Sequence, residues 1–265
     1  MELAAPDPGS GSPAQRFYRE AILALRNASV ECLVGGAYAF ALQTRVERIT
    51  KDFDLFVRPR DLEAAIAAAR SAGFRAGLSS GHWLAKIESD AGFIDVIFSS
   101  GNGVATVDDE WFEHAREEQV LGLTVGVCPP EEALWSKSFV MERDRFDGAD
   151  VAHILLARAD SLDWERLLRR FGDYWRVLLS HVVLFGFIYP PERARIPRWV
   201  MDELLRRLRE ETGEAPPTDK VCRGTLLSWS QYLVDVSDGG WRDARLKPEG
   251  NLSAQQIREW TERPK

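Results

Sequence analysis

Pro129-Pro130 cut this chain into two stretches whose apolar residues repeat with different periods. Before them, short apolar runs alternate with helix-like segments, the pattern of helices packed on a sheet. After them, helical spacing continues nearly to the end. A chain divided this way is expected to be α/β (α+β): a mixed β-sheet flanked by helices over 13–128, then an all-helical domain over 129–265. Residues 1–12 read as a flexible tail.

Local signals place the elements. Ser12-Pro13 supplies an N-cap and a proline at the first helical position, for a helix to about Asn27. Val30–Val34 reads as a buried strand ending at Gly35-Gly36, with a helix from Ala37 to about Gln43. Asp52–Val57 reads as the next strand, and Asp61–Ala72 as a helix closed by Gly73. Strands follow at Phe74–Leu78, Trp83–Glu88 and Phe93–Phe98, the last two joined by a turn at Ser89–Gly92. Asp108–Arg116 reads as helix, with strands near Glu118–Leu121 and Leu123–Val127. Beyond the prolines, helices are expected at 131–143, 147–159, 163–172, 174–188 and 197–211. After a polar linker come two more, the last opening on the capping box Ser253–Gln256.

The bulk numbers exclude several classes. A formal net charge of −7 gives no broad positive field for non-specific nucleic-acid binding, though a local basic patch stays compatible with it. The three cysteines and four histidines are scattered, with no CxxC and no HExxH. A disulfide framework or zinc site is not expected, and a cytoplasmic location is the default. The N-terminal residues lack the charged and apolar regions of a signal peptide. The most apolar run, Val177–Tyr189, is shorter than the roughly 20 residues a bilayer span needs, so no membrane role is expected.

The chemistry concentrates between Leu33 and Val57. A strand running into Gly35-Gly36 ahead of a helix gives a backbone that can approach a ligand closely, beside N–H groups that attract phosphate. Taken alone, it is equally a plain turn. Asp52 and Asp54 lie at i and i+2, so on a strand their carboxylates share a face while Phe53 and Leu55 point to the core. Like charges so placed repel unless neutralised, and Mg²⁺, a hard cation, does this well. Two aspartates on a solvated strand end would look the same. Asp95 sits alone in the apolar run Phe93–Phe98, where burial is costly without a partner. Together the glycine pair and three carboxylates suit phosphoryl transfer with up to two metal ions.

This segment resembles the nucleotidyltransferase superfamily signature: a glycine pair, a short helix, Asp-x-Asp on a strand and a third Asp on a later strand. Arg48-Ile49-Thr50-Lys51-Asp52-Phe53-Asp54 is similar to the R-x-T-x-D-x-D form of the minimal, toxin-like branch, related to aminoglycoside and lincosamide nucleotidyltransferases. The resemblance implies a nucleotidyltransferase-like sheet with Asp52, Asp54 and Asp95 as catalytic metal ligands. Gly35, Gly36, Thr50 and Lys51 would bind the nucleotide. Downstream, Lys137 and the run Arg143 to Val151 resemble the K…R-x-x-x-D-x-x-D segment of that branch, which brings Lys137 and Asp150 to the site. Lys137 on a largely apolar helical face needs a partner; a triphosphate or Asp150 would serve, as would a head reaching water. His82 can be read as an acceptor-binding residue or a structural one.

The implied reaction is Mg²⁺-dependent transfer of NMP from an NTP to an acceptor hydroxyl, releasing pyrophosphate. The acceptor stays open. A toxin-like enzyme would modify tRNA or protein and carry an antitoxin partner. An antibiotic-type enzyme would modify a small molecule, which the acidic charge mildly favours. A third reading is a catalytically silent nucleotide-binding or interaction module.

Overall fold

The computed structural model describes residues 11–47 and 52–261. Their contacts separate into two units, Met1–Pro129 with Arg258–Lys265, and Pro130–Ile257.

The first unit is built on helix α1 (Pro13–Asn27). Ser12 Oγ accepts from the Gln15 amide while Gln15 Oε1 accepts from the Ser12 amide, closing a capping box. Phe17, Tyr18, Ala21, Ile22 and Leu25 repeat at helical spacing and are all buried. Ser29, at φ 58°, turns the chain, and the Val30 amide still bonds back to Leu25. Strand β1 is therefore only Leu33–Val34, shorter than the apolar run that announces it. Then come α2 (Gly36–Thr44), β2 (Phe53–Phe56), α3 (Leu62–Ser71), β3 (Arg75–Ser80), β4 (Leu84–Ser89) and β5 (Gly92–Ile97). A short α4 (Asp109–Glu113), β6 (Arg116–Val120) and β7 (Leu123–Val127) complete the unit. The expected helix over Asp108–Arg116 ends early. Leu121 and Gly122, both at positive φ, make a tight hairpin that draws residues from Arg116 onward into β6.

The seven strands form one mixed sheet in the order β3-β4-β5-β2-β1-β7-β6. β2 runs parallel to β5 and antiparallel to β1, and β1 runs parallel to β7. One face is the core. Phe53, Leu55, Ile94, Val96, Ala85 and Ile87 are buried there, and Tyr18 of α1 stacks on Phe53 at 4.7 Å between ring centroids. The alternate residues of β2, β4 and β5 point to the opposite face.

The second unit contains α5 (Pro130–Ser138), α6 (Gly148–Arg158), α7 (Trp164–Phe171), α8 (Trp175–Ile188) and α9 (Arg198–Gly213). Next come β8 (Val221–Cys222), α10 (Trp229–Ser237) and β9 (Arg242–Asp243); α11 (Ala254–Thr261) opens on the Ser253–Gln256 box, and its residues from Arg258 onward count with the first unit. The expectation of an all-helical half is corrected by β8 and β9, which pair in parallel. Two-residue strands carry no readable periodicity. α5 also stops five residues short of expectation. The Met141 amide bonds the Leu227 carbonyl, and Met141 bridges Phe146, so residues 141–146 fold back as a hairpin.

The apolar run at Val177 is longer in space than in sequence. A 3₁₀ turn at Gly172–Tyr174 joins α7 to α8, giving a helical stretch Trp164–Ile188 of 25 residues, long and apolar enough to cross a membrane by length and composition. Leu178, Val182 and Phe185 of that stretch are buried in the unit's core.

An ionic cluster anchors α5 to α7. Arg166, 3% exposed, reaches Glu132 Oε1 and Glu131 Oε2, each at 2.6 Å, and Arg170 adds a contact to Glu132 at 3.3 Å. Glu131 also accepts from the Asp163 amide at the start of α7. Buried charges hold only while paired, because removing one partner strands the other out of water. Arg166→Met is therefore expected to destabilise this unit by about 3–5 kcal/mol. Urea unfolding followed by tryptophan fluorescence measures this, and an unchanged midpoint would contradict the role given to the cluster.

Candidate active site

Gly35 is the N-cap of α2, and its amide donates to the Asp54 carbonyl at 2.9 Å, tying the glycine pair to β2. Neither glycine has room for a side chain. A Cβ at Gly35 would lie 2.3 Å from the Phe56 ring. At Gly36, with φ 53°, it would lie 1.7 Å from Asp54 Oδ2. The Asp54 carboxylate thus rests against the first turn of α2, where helix N–H groups and the helix dipole favour negative charge.

Asp54 and Asp95 are register partners on the parallel strands β2 and β5. Partners on adjacent strands stand about 4.8 Å apart and share a face. Since Phe53 and Ile94 face the core, the two carboxylates lie together on the opposite side. Both side chains are half-buried. Asp52 precedes β2 and is exposed.

The antiparallel pairing of β4 with β5 puts Lys86 directly opposite Asp95. Lys86 Nζ lies 3.0 Å from Asp95 Oδ1 and 4.0 Å from the centre of the Phe93 ring. That Oδ1 atom is enclosed and has no hydrogen bond of good alignment, so among the described residues Lys86 is the charge that neutralises it. Lys86, Asp95 and Asp54 therefore form a row across three strands. Among the described residues, no group of three or more Asp, Glu, His or Cys side chains is gathered as a metal site. Asp54 and Asp95 share one sheet face, and Asp52 lies just before β2. The enclosed, poorly satisfied oxygen of Asp95 fits a hard divalent cation.

Lys137 and Asp150 lie in the second unit. Lys137 Nζ bonds Asp150 Oδ2 at 2.7 Å and Asp147 Oδ2 at 3.0 Å. Of the two partners the sequence allowed, the protein supplies its own carboxylate, with Asp147 as a second. Burial pushes the Asp147 carboxyl up. The hydrogen bond from Arg145 and the charge of Lys137 outweigh it and hold the group below the ordinary carboxylate range. Thr50 and Lys51, with Arg48 and Ile49, lie outside the described residues. His82 is buried with Nε2 3.0 Å from the Gly101 carbonyl, so that nitrogen donates, and the ring braces a loop.

The sequence held signals for two residues given no role from it. The turn at Ser89–Gly92 fixes the hairpin register and so sets Lys86 opposite Asp95. Asp147 lies three residues before Asp150, one helical turn away. A further open groove of about 910 Å³ in the helical unit is lined by Trp175, Trp199, Asp202, Glu203, Arg206 and Arg207, among others. Two of its arginines, Arg206 and Arg207, are already paired with Glu203.

No family model matches the sequence, and no curated protein matches it. Solved structures similar to this chain include nucleotidyltransferases. The antibiotic-resistance factor ANT(2'')-Ia is 16% identical, with a TM-score of 0.45, covering 63% of this chain and 95% of its own. The lincosamide antibiotic adenylyltransferase LnuA is 13% identical, with a TM-score of 0.39, covering 55% and 98%. An antigenic nucleotidyltransferase-like protein from Paracoccidioides brasiliensis is 14% identical, with a TM-score of 0.45, covering 70% and 93%.

Two outcomes follow from this geometry. Gly36→Ala combines a positive φ with a clash against Asp54, whereas Gly73→Ala has a positive φ and open space around it. The first should cost roughly 1–3 kcal/mol and exceed the second in denaturant unfolding; equal losses would remove the clash as a cause. Lys137→Met leaves two partly buried carboxylates unbalanced and should cost about 1–3 kcal/mol at neutral pH. Asp147 is held below its ordinary value of about 3.9, so its stabilising contribution is complete above that value and is lost as pH falls through the lowered one. The gap in melting temperature between wild type and Lys137→Met should therefore narrow below about pH 4. A gap that stays constant into strong acid would mean the lysine stabilises by packing alone.

Proposed function

We propose that the protein is a divalent-metal-dependent nucleotidyltransferase that moves NMP from an NTP to an acceptor hydroxyl and releases pyrophosphate. One observation carries this reading: Asp54 and Asp95 stand in register on adjacent parallel strands beside the Gly35-Gly36 turn at the start of α2. A carboxylate pair on one sheet face, next to a backbone that admits no side chain, suits a metal-bound triphosphate.

Mg²⁺ bound there would neutralise charge on the triphosphate and on the departing pyrophosphate, and make the acceptor hydroxyl more acidic. Asp54 and Asp95, with Asp52 just before β2, would hold up to two such ions. Gly35 and Gly36 let the phosphates approach the backbone, and the first N–H groups of α2 orient them. Asp95 would take the acceptor's proton. The acceptor oxygen then bonds the α-phosphorus while the bond to the β-phosphate oxygen breaks, and the electron pair leaves with pyrophosphate. Thr50, Lys51, Lys137 and Asp150 enter as nucleotide-contacting residues on the sequence resemblance alone. The acceptor is a tRNA, a protein or a small molecule, and an antitoxin would be a partner in the first two cases.

A second reading has a specific observation behind it. Asp95 is already ion-paired with Lys86, and the three carboxylates do not gather as one metal group among the described residues. That is also what a silent nucleotide-binding module would look like.

Incubating the protein with each α-labelled NTP, Mg²⁺ and a cell extract separates the two. Label should pass to one acceptor class, and Asp54→Ala should reduce transfer by at least a hundredfold, roughly 2.7 kcal/mol of barrier, while retaining the wild-type circular dichroism spectrum. Calorimetric NTP binding without transfer to any acceptor would favour the silent module. Full transfer by Asp54→Ala would remove the carboxylate pair from the chemistry.

A further inference from the structure

We propose that Lys86 is a built-in competitor for the divalent cation at Asp95: its ammonium neutralises that carboxylate in the metal-free protein and must give way before a cation can use it. The inference rests on the reading of Asp54 and Asp95 as metal ligands and adds a residue that this reading does not assign.

Three observations support it. Lys86 is the exact cross-strand partner of Asp95, fixed by six consecutive pairs between β4 and β5 that run down to the turn at Ser89–Gly92. It is therefore placed by the sheet itself rather than by a mobile loop. Its Nζ lies 3.0 Å from Asp95 Oδ1, within reach of the atom a metal would need, yet that oxygen lacks a well-aligned hydrogen bond. The pair is electrostatically satisfied and geometrically loose. Finally, the ammonium sits over the Phe93 ring at 4.0 Å and the side chain is 31% exposed. A lysine displaced from Asp95 thus keeps both an aromatic face and a route to water.

The charge balance gives the direction. Across the row, Lys86 supplies one positive charge to the two negative charges of Asp95 and Asp54. Adding a divalent cation with Lys86 still in place brings like charges together at Asp95. A triphosphate arriving with the metal would offer the freed ammonium new oxygen partners. The cation alone should consequently bind weakly, and the metal–nucleotide pair should bind as a unit.

The test is a Mn²⁺ titration of the full-length protein without nucleotide, reading free Mn²⁺ by electron paramagnetic resonance. Lys86→Met and Lys86→Gln should each bind Mn²⁺ at least tenfold more tightly than wild type. Lys86→Arg, which keeps the charge, should stay within about threefold of wild type. Adding Asp95→Asn to Lys86→Met should abolish the gain. Using two neutral variants guards against one of them failing to fold, which melting curves would reveal. Equal or weaker Mn²⁺ binding by the folded neutral variants overturns the competition while leaving the metal site standing. A gain that survives Asp95→Asn overturns it as well, because the cation would then sit elsewhere. Absence of Mn²⁺ binding in every form, wild type included, overturns the metal-ligand reading and this inference together.

Discussion

The parallel pairing of β2 with β5 is the constraint on which the candidate site depends. It sets Phe53 beside Ile94 and Leu55 beside Val96 on the buried face, and the alternation of a strand then leaves Asp54 beside Asp95 on the other. A one-residue slip of either strand would turn its two apolar side chains outward and its carboxylate into the core. Burial of those apolar residues therefore fixes the position of the acids, and the acids need no attraction of their own to meet.

Both units handle charge in the same way. In three places a cation of the chain stands at hydrogen-bonding or ion-pair distance from acidic groups. Arg166 lies between Glu131 and Glu132, Lys137 between Asp147 and Asp150, and Lys86 beside Asp95. The first cluster is sealed and serves cohesion. The other two are partly open to solvent, so their ions can exchange partners. Depth separates a structural ion pair from one that can take part in binding.

Much of this was legible in the sequence. The capping boxes at Ser12 and Ser253, the Asp-x-Asp alternation and the Ser89–Gly92 turn are local codes, and each appears where its residues place it. The change of character after Pro130 could be read from periodicity. Sheet order could not, since nothing local says that β1 should sit between β2 and β7. The early end of α5 was hidden because it depends on a bond to Leu227, far along the chain. The β8–β9 pair was too short to leave a pattern. At the site, the glycine pair and the three aspartates could be picked out by residue type, but the strand pairing that sets Asp54 beside Asp95 could not.

The strand order has a kinetic corollary. β3, β4 and β5 form a meander of adjacent hairpins, and β6 and β7 form another, so both can close over short loops. β2 joins the first to β1, and β1 reaches the second through the pairing of Leu33 with Gly126 and Val34 with Val127. Closing long loops is slow compared with zipping neighbours. The strand bearing Asp54 is thus the keystone between two arches that form separately, and the carboxylates face each other only once it is seated. An unfinished chain holds the parts of the site without the site, so activity would itself report complete assembly of the sheet.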